Sequence, residues 1–146
     1  MILRYPAKIK YLKEDKSYLV EFPDLPGCLT EGMSLDDAKS NAKEALTGYL
    51  ASIFEREHKI PDPSKIKGRN VYIIEPEPEV SVPIILRKLR VKKKLTQGDI
   101  AKALGISYQA YQRLEKPGKS NPTLKTLERL ATVFNKDLRL EFAQKV

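Results

Sequence analysis

The sequence predicts an α+β chain in two parts: a three- to four-stranded antiparallel sheet carrying one helix, then an all-α part closed by a C-terminal strand. Three observations carry this. Residues 3–33 alternate between apolar and polar side chains with period two, interrupted by turn residues. Leu35 to Phe54 then switches to an apolar stripe at helical spacing. After the acidic, proline-rich EPEPE at 75–79 the apolar spacing stays helical and the charge changes sign. Residues 1–80 hold 12 Lys and Arg against 14 Asp and Glu, net −2, whereas residues 81–146 hold 15 against 5, net +10. A chain of 146 residues suits two small domains, here 1–79 and 80–146.

In order, residues 3–12 read as a strand with Tyr5, Ala7, Ile9 and Tyr11 on one face, and the polar Glu14, Asp15 and Lys16 as a hairpin turn. Residues 18–22 form a second strand, with Tyr18, Val20 and Phe22 on one face. Two prolines and a glycine at 23–27 end it, and residues 28–33 make a third. Ser34 caps the long helix with Asp37 at the third helical position, and the stripe Leu35, Ala38, Ala42, Ala45, Leu46, Tyr49, Leu50, Ile53 and Phe54 is its buried face. That helix ends near His58, ahead of Pro61. Residues 61–70 are a loop, and 71–74, rich in β-branched side chains, a fourth strand. The order β-β-β-α-β implies one sheet with a helix on one face.

In the basic half, residues 82–95 read as a helix burying Ile85, Leu86 and Leu89. The stretch TQGDIAKALGISYQAYQRLE (96–115) then reads as two short helices joined by a tight turn. Thr96 caps the first, with Asp99 placed to complete a capping box, and Ile100, Ala101 and Leu104 face inward. Gly105 is the left-handed residue that ends it, and Ser107 caps the second helix over Tyr111 and Leu114. Thr123 caps a last helix with Leu124, Leu127, Leu130, Ala131 and Phe134 inward, and Asn135 is a left-handed terminator. Residues 137–142 alternate, with Leu138, Leu140 and Phe142 on one face. A strand there needs a partner, which leads to the expectation of pairing with its twin in a homodimer or higher homo-oligomer.

Gln97, Ala101, Gly105, Ser107 and Glu115, at these spacings, resemble the helix-turn-helix of phage-repressor-like (Xre) proteins. The alternative is a helical hairpin that binds only protein. The resemblance implies double-stranded operator DNA as a partner, and the +10 charge of this half agrees with a polyanion ligand. Tyr108, Gln109, Gln112 and Arg113 form a polar stripe suited to base edges: Gln suits adenine, Arg guanine, and the Tyr ring a thymine methyl. Gln97, Ser107, Lys116, Lys119, Ser120 and Asn121 are the phosphate candidates. In that family an arginine at the position of Arg90 pairs with the glutamate at Glu115, which assigns both a structural role.

A second resemblance covers residues 1–78. YLVEFPDLPGCLTEG at 18–32, the helix opening at Asp37 and Ala38, and the IPDPS loop at 60–64 are similar to HicB-type antitoxins. That resemblance implies a partly ribonuclease-H-like N-terminal fold, a HicA-type mRNA-cleaving toxin as partner, and repression of the operon by the DNA-binding part. Toxin contacts are expected from the turn and its flank, at Glu21, Phe22, Asp24, Leu25 and Pro26. An acidic surface that includes Glu31, Asp36 and Asp37 would favour a basic RNA-binding toxin.

Catalysis is not expected. His58 is the only histidine and Cys28 the only cysteine, which leaves no disulfide and no zinc pattern. Asp36 and Asp37 are explained by their place in a helix's first turn. No cofactor or metal is expected. MILRYPAKIK lacks the apolar core of a signal peptide, and no apolar run approaches the ~20 residues of a membrane span, so a cytoplasmic protein is expected. The competing reading is a one-component transcriptional regulator whose N-terminal domain senses a ligand.

Overall fold

The computed structural model describes residues 1–145 and divides into two compact units, Met1–Glu77 and Pro78–Lys145. The first holds strands β1 (Tyr5–Leu12), β2 (Ser17–Glu21) and β3 (Leu29–Gly32), helix α1 (Leu35–Glu55) and strand β4 (Val71–Ile74). The sheet order is β3-β2-β1-β4, with every neighbouring pair antiparallel. The α+β class read from the sequence is therefore the observed one.

Alternation fixes which side of the sheet is covered. Tyr5, Ala7 and Ile9 on β1 and Val20 on β2 are buried, and α1 presents Ala38, Ala42, Leu46, Leu50, Ile53 and Phe54 as its buried stripe. Tyr11 breaks the expected face: it is half exposed and stacks at a tilt on Tyr18, its partner in the β1–β2 register, with ring centroids 5.0 Å apart.

The link from β3 to α1 is tight. A Cβ on Gly32 would stand 2.3 Å from the Ala38 backbone nitrogen and 2.5 Å from its Cα, so only glycine lets the strand end against the helix's first turn. Ser34 Oγ accepts the Asp37 N–H at 3.0 Å, and the Asp37 carboxylate accepts the Met33 N–H at 2.9 Å, one residue earlier than in a standard capping box.

The second unit contains α2 (Pro78–Lys92), α3 (Gln97–Leu104), α4 (Tyr108–Leu114) and α5 (Leu124–Val133). The α2 helix starts four residues earlier than the sequence suggests, because proline is tolerated in a first turn and Pro78 occupies that place. Its inward face is also rotated from the expected one: Leu86 is buried in the helical core and Leu89 packs on it, but Ile85 is only half-buried. The core gathers Leu86, Ile100, Ala101, Leu104, Tyr111, Leu130 and Phe134.

Two further expectations in this unit fail. Leu124, expected inward, is 53 % exposed at the start of α5, where the described residues leave the first turn uncovered. Residues 136–145 form neither strand nor helix; a strand has no neighbour to pair with there in a single chain.

Candidate functional site

The turn between α3 and α4 is built as its sequence dictates. Thr96 Oγ1 accepts the Asp99 N–H at 3.0 Å and the Asp99 carboxylate accepts the Thr96 N–H at 2.8 Å, a complete capping box. The Thr96 N–H, with the Thr96 side-chain hydroxyl beside it, holds the Asp99 carboxyl below its ordinary range. Gly105, at φ 68°, ends α3, with the Ile106 N–H on the Ala101 carbonyl and the Gly105 N–H on that of Lys102. Ser107 Oγ caps α4 by accepting the Ala110 N–H at 3.1 Å. Ala101 is buried, small enough for the two helices to approach closely.

Beneath α4 lies an ion pair. Arg90 Nε donates to Glu115 Oε2 at 2.7 Å and Arg90 Nη2 to Oε1 at 3.0 Å, a two-bond fork. Their side chains are 14 % and 2 % exposed. A third bond, Arg90 Nη1 to the Leu95 carbonyl at 3.0 Å, ties down the end of α2. The bonds to Glu115 push the arginine's pKa further up. Tyr111 is buried beside the pair, and burial, then the Glu115 carboxylate, pushes its phenol pKa up.

From this pair a chain of hydrogen bonds runs to the surface. Gln97 Nε2 donates to Glu115 Oε1 at 3.3 Å, the Tyr108 hydroxyl donates to Gln97 Oε1 at 3.3 Å, and Gln112 Nε2 donates to the Tyr108 oxygen at 3.2 Å. The donors and acceptors run in one consistent sense from α4 into the buried carboxylate. The Gln97 side chain thus connects α4 to the buried carboxylate, with both ends of its amide engaged. Sequence spacing gave no sign of this, because the partners lie 18 and 11 residues away. Arg129 was also missed: its Nη2 donates to the Leu104 carbonyl and closes the end of α3 from α5.

The four residues of the expected base-reading stripe, Tyr108, Gln109, Gln112 and Arg113, are all exposed on α4. Ser107, Lys116, Lys119 and Asn121 are exposed as well. Ser120 is not available: its Oγ is buried and has no hydrogen-bond partner, so it cannot meet a phosphate.

In the first unit, the FPDLPGC turn is held from within. The Leu25 N–H bonds the Phe22 carbonyl and the Cys28 N–H that of Leu25, each at 3.0 Å, with Gly27 at φ 85°. Phe22 and Leu25, expected to face a partner, are each 1 % exposed and fill the core, which corrects that assignment. Asp24 Oδ2 accepts both the backbone N–H and the hydroxyl of Ser64, at 2.9 and 3.1 Å, so its carboxylate is committed to holding the loop. Tyr49 and Tyr5 complete the framework by donating to the carbonyls of Pro26 and Pro61. Burial pushes the Cys28 thiol up to about 11, which makes it inert at neutral pH. Glu21 and Pro26 remain exposed. An open groove of about 570 Å³ runs between β3 and α1, with Cys28, Thr30, Asn41 and Tyr49 among its walls. Among the described residues no group of three or more His, Cys, Asp or Glu is placed to hold a metal ion, and no helix is long and apolar enough to cross a membrane.

Comparison with known proteins accounts for both units. Residues 5–87 match the family described as HicB-like antitoxin of bacterial toxin–antitoxin systems, and residues 86–140 match a helix-turn-helix family. Antitoxin HicB 1 of Photorhabdus laumondii is 32 % identical over 112 residues, covering 77 % of this chain and 70 % of its own. Antitoxin HicB of Escherichia coli strain K12 is 30 % identical over 112 residues, covering 77 % and 80 %. The N-terminal domain of Burkholderia pseudomallei antitoxin HicB has a solved structure that overlays at a TM-score of 0.45 with 21 % identity, covering 51 % of this chain and 98 % of that one. With a capped helix-turn-helix in one unit and the FPDLPGC-bearing sheet in the other, the chain belongs to the HicB-like antitoxins of bacterial toxin–antitoxin systems and carries a DNA-binding helix-turn-helix.

Proposed function

We propose that this chain binds and neutralises a HicA-type mRNA-cleaving toxin in the cytoplasm, and represses the operon that encodes the pair. The observation that carries this reading is the union, in one chain, of a HicB-like unit with a basic helix-turn-helix whose α4 exposes Tyr108, Gln109, Gln112 and Arg113. Those four side chains read base edges; Ser107, Lys116, Lys119 and Asn121 meet the sugar–phosphate backbone. The toxin faces the acidic surface of the first unit, where Glu21, Pro26, Glu31, Asp36 and Asp37 are exposed. The chain acts by covering the toxin, with no catalytic step of its own.

Two measurements test the two halves. Expressed together with a small basic protein from a neighbouring reading frame, the chain should co-purify with it and abolish its cleavage of mRNA; cleavage that persists in a saturated complex refutes neutralisation. On DNA carrying its own promoter, Arg113→Ala should lose ~1–3 kcal/mol of operator affinity and relax the sequence preference at the base pair it contacts. Lys119→Ala should weaken operator and random DNA alike. If Arg113→Ala binds both DNAs as the parent chain does, the base-reading assignment is wrong.

A further inference from the structure

In the first unit the edge strand β3 runs beside α1, with the open groove of about 570 Å³ between them. Two bonds hold strand and helix at a fixed separation. Asn41 Nδ2 donates to the Glu31 carbonyl at 2.8 Å, and the Tyr49 hydroxyl donates to the Pro26 carbonyl at 2.9 Å. The two acceptors flank residues 27–30, so the groove is braced on both sides and formed before any partner arrives.

The outer backbone of β3 is unpaired along this groove. The Phe22 N–H bonds the Cys28 carbonyl at 3.3 Å on the β2 side. By the alternation of an antiparallel ladder, Thr30 and Gly32 also turn their backbone groups to β2, whereas Leu29 and Glu31 turn theirs outward. The Glu31 carbonyl is taken by Asn41. Among the described residues nothing bonds the Leu29 N–H, the Leu29 carbonyl or the Glu31 N–H. A bare edge of this kind can pair with a further strand.

Across the groove stands Gly48, exposed in the middle of α1. The fold does not require glycine there: the backbone is helical and a Cβ would meet no atom within 4 Å. Alanine would make the better helix. A side chain missing where neither packing nor backbone geometry demands it leaves room for another chain to come close. Charge selects that chain. Glu44 lines the groove, Glu31 and Asp37 are exposed at its β3 end, and no lysine or arginine lines it. The two lysines of α1 are engaged elsewhere, Lys43 with Glu77 at 3.6 Å and Lys39 over the Tyr72 ring at 4.6 Å.

We propose that an extended, cationic segment of the toxin adds to the β3 edge as a fifth strand, bonding the Leu29 backbone and setting a side chain over Gly48. The proposal rests on the neutralisation reading and gives it a place and a mode. Backbone bonds along β3 supply affinity, while the small residue at Gly48 and the carboxylate of Glu44 select which side chains fit.

The test titrates the full chain with the small basic protein encoded in the neighbouring reading frame, by calorimetry. Gly48→Ala should raise the dissociation constant roughly tenfold, because a methyl group enters filled space. The same variant should melt a few degrees higher, because α1 becomes a better helix. A purely structural role for Gly48 would not move binding and stability in opposite directions. Glu44→Lys should weaken the complex by about tenfold. Glu14→Lys makes the same charge change in the β1–β2 turn, outside the groove, and should stay within about twofold of the parent. Hydrogen exchange at the Leu29 and Glu31 amides should be fast in the free chain and slowed in the complex. A Gly48→Ala chain that binds as the parent does, equal losses at Glu44 and Glu14, or an unprotected Leu29 amide in the complex would each overturn the proposal and leave neutralisation standing. A Gly48→Leu variant that alters only the chain's self-association would seat a second copy in the groove and overturn it as well. A parent chain that does not bind the basic protein at all refutes the neutralisation reading, and the proposal with it.

Discussion

Glu115 is the only charged residue fully in the interior among those described, and its partner decides whether that is tolerable. With Arg90 in place the carboxylate receives a two-bond fork; without it, one bond from Gln97 at 3.3 Å remains. Arg90→Met should therefore destabilise the helical unit by about 3 kcal/mol, because an unpaired charge stays buried. Arg90→Met combined with Glu115→Leu should recover most of that loss, as apolar replacements of both partners of a buried pair often do. Urea unfolding of the two variants checks this, and a double variant as unstable as the single one would show that the pair stabilises more than it costs to bury. At this scale the sequence was legible where a residue's role is local or a family habit. Thr96, Gly105, Ser107 and the Arg90–Glu115 pair stand as expected. Ser120, Phe22 and Leu25 do not, because a polar side chain's surroundings and a turn residue's burial are set by chain segments brought near only on folding.

At the scale of elements, ends matter more than middles. The β3–α1 link admits no side chain at Gly32, where the obstructing atoms are backbone and cannot rotate away. Gly32→Ala should cost about 3 kcal/mol in denaturant unfolding, at the upper end of overpacking effects. The helix ends behave in the opposite sense. The α1, α2 and α5 helices end on left-handed residues that are not glycine, at Glu57, Lys94 and Asn135, with φ between 55° and 58°. Each closes with paired bonds, such as Leu95 N–H to the Arg90 carbonyl and Lys94 N–H to that of Val91. Lys94→Gly should raise stability by roughly 0.5–1 kcal/mol, the relief of the left-handed backbone less the extra freedom of glycine in the unfolded chain. Asn135 was legible as a terminator because asparagine tolerates that conformation, whereas nothing marks a lysine or glutamate for it. Element types were readable from periodicity and caps. The start of α2 was not, because EPEPE reads equally as an extended linker and as a helix whose first turn carries proline.

For the whole molecule, charge divides along the chain as the two proposed tasks would require: net −2 over residues 1–80 and +10 over 81–146. DNA affinity should fall by about a hundredfold or more between 50 and 200 mM salt if some four to six phosphates are neutralised. Fluorescence anisotropy across that range gives the slope, and Lys119→Ala should reduce its magnitude by about one. A flat salt response would separate the basic charge from DNA binding. The exposed face of α4 was visible in the sequence, since helical spacing alone sorts Tyr108, Gln109, Gln112 and Arg113 outward. What spacing could not convey is that this face has two mechanical characters. Tyr108 and Gln112 are tethered through Gln97 to a buried carboxylate, whereas among the described residues no such tether holds Gln109 and Arg113. Ordering a free side chain on binding costs about 0.5–1.5 kcal/mol of entropy, a cost the tethered pair has largely met in folding. On the proposed reading, the base pairs under Tyr108 and Gln112 should then be read as by a fixed template, intolerant of change. Those under Gln109 and Arg113 would leave more room for a binding site to drift in sequence while the protein stays the same.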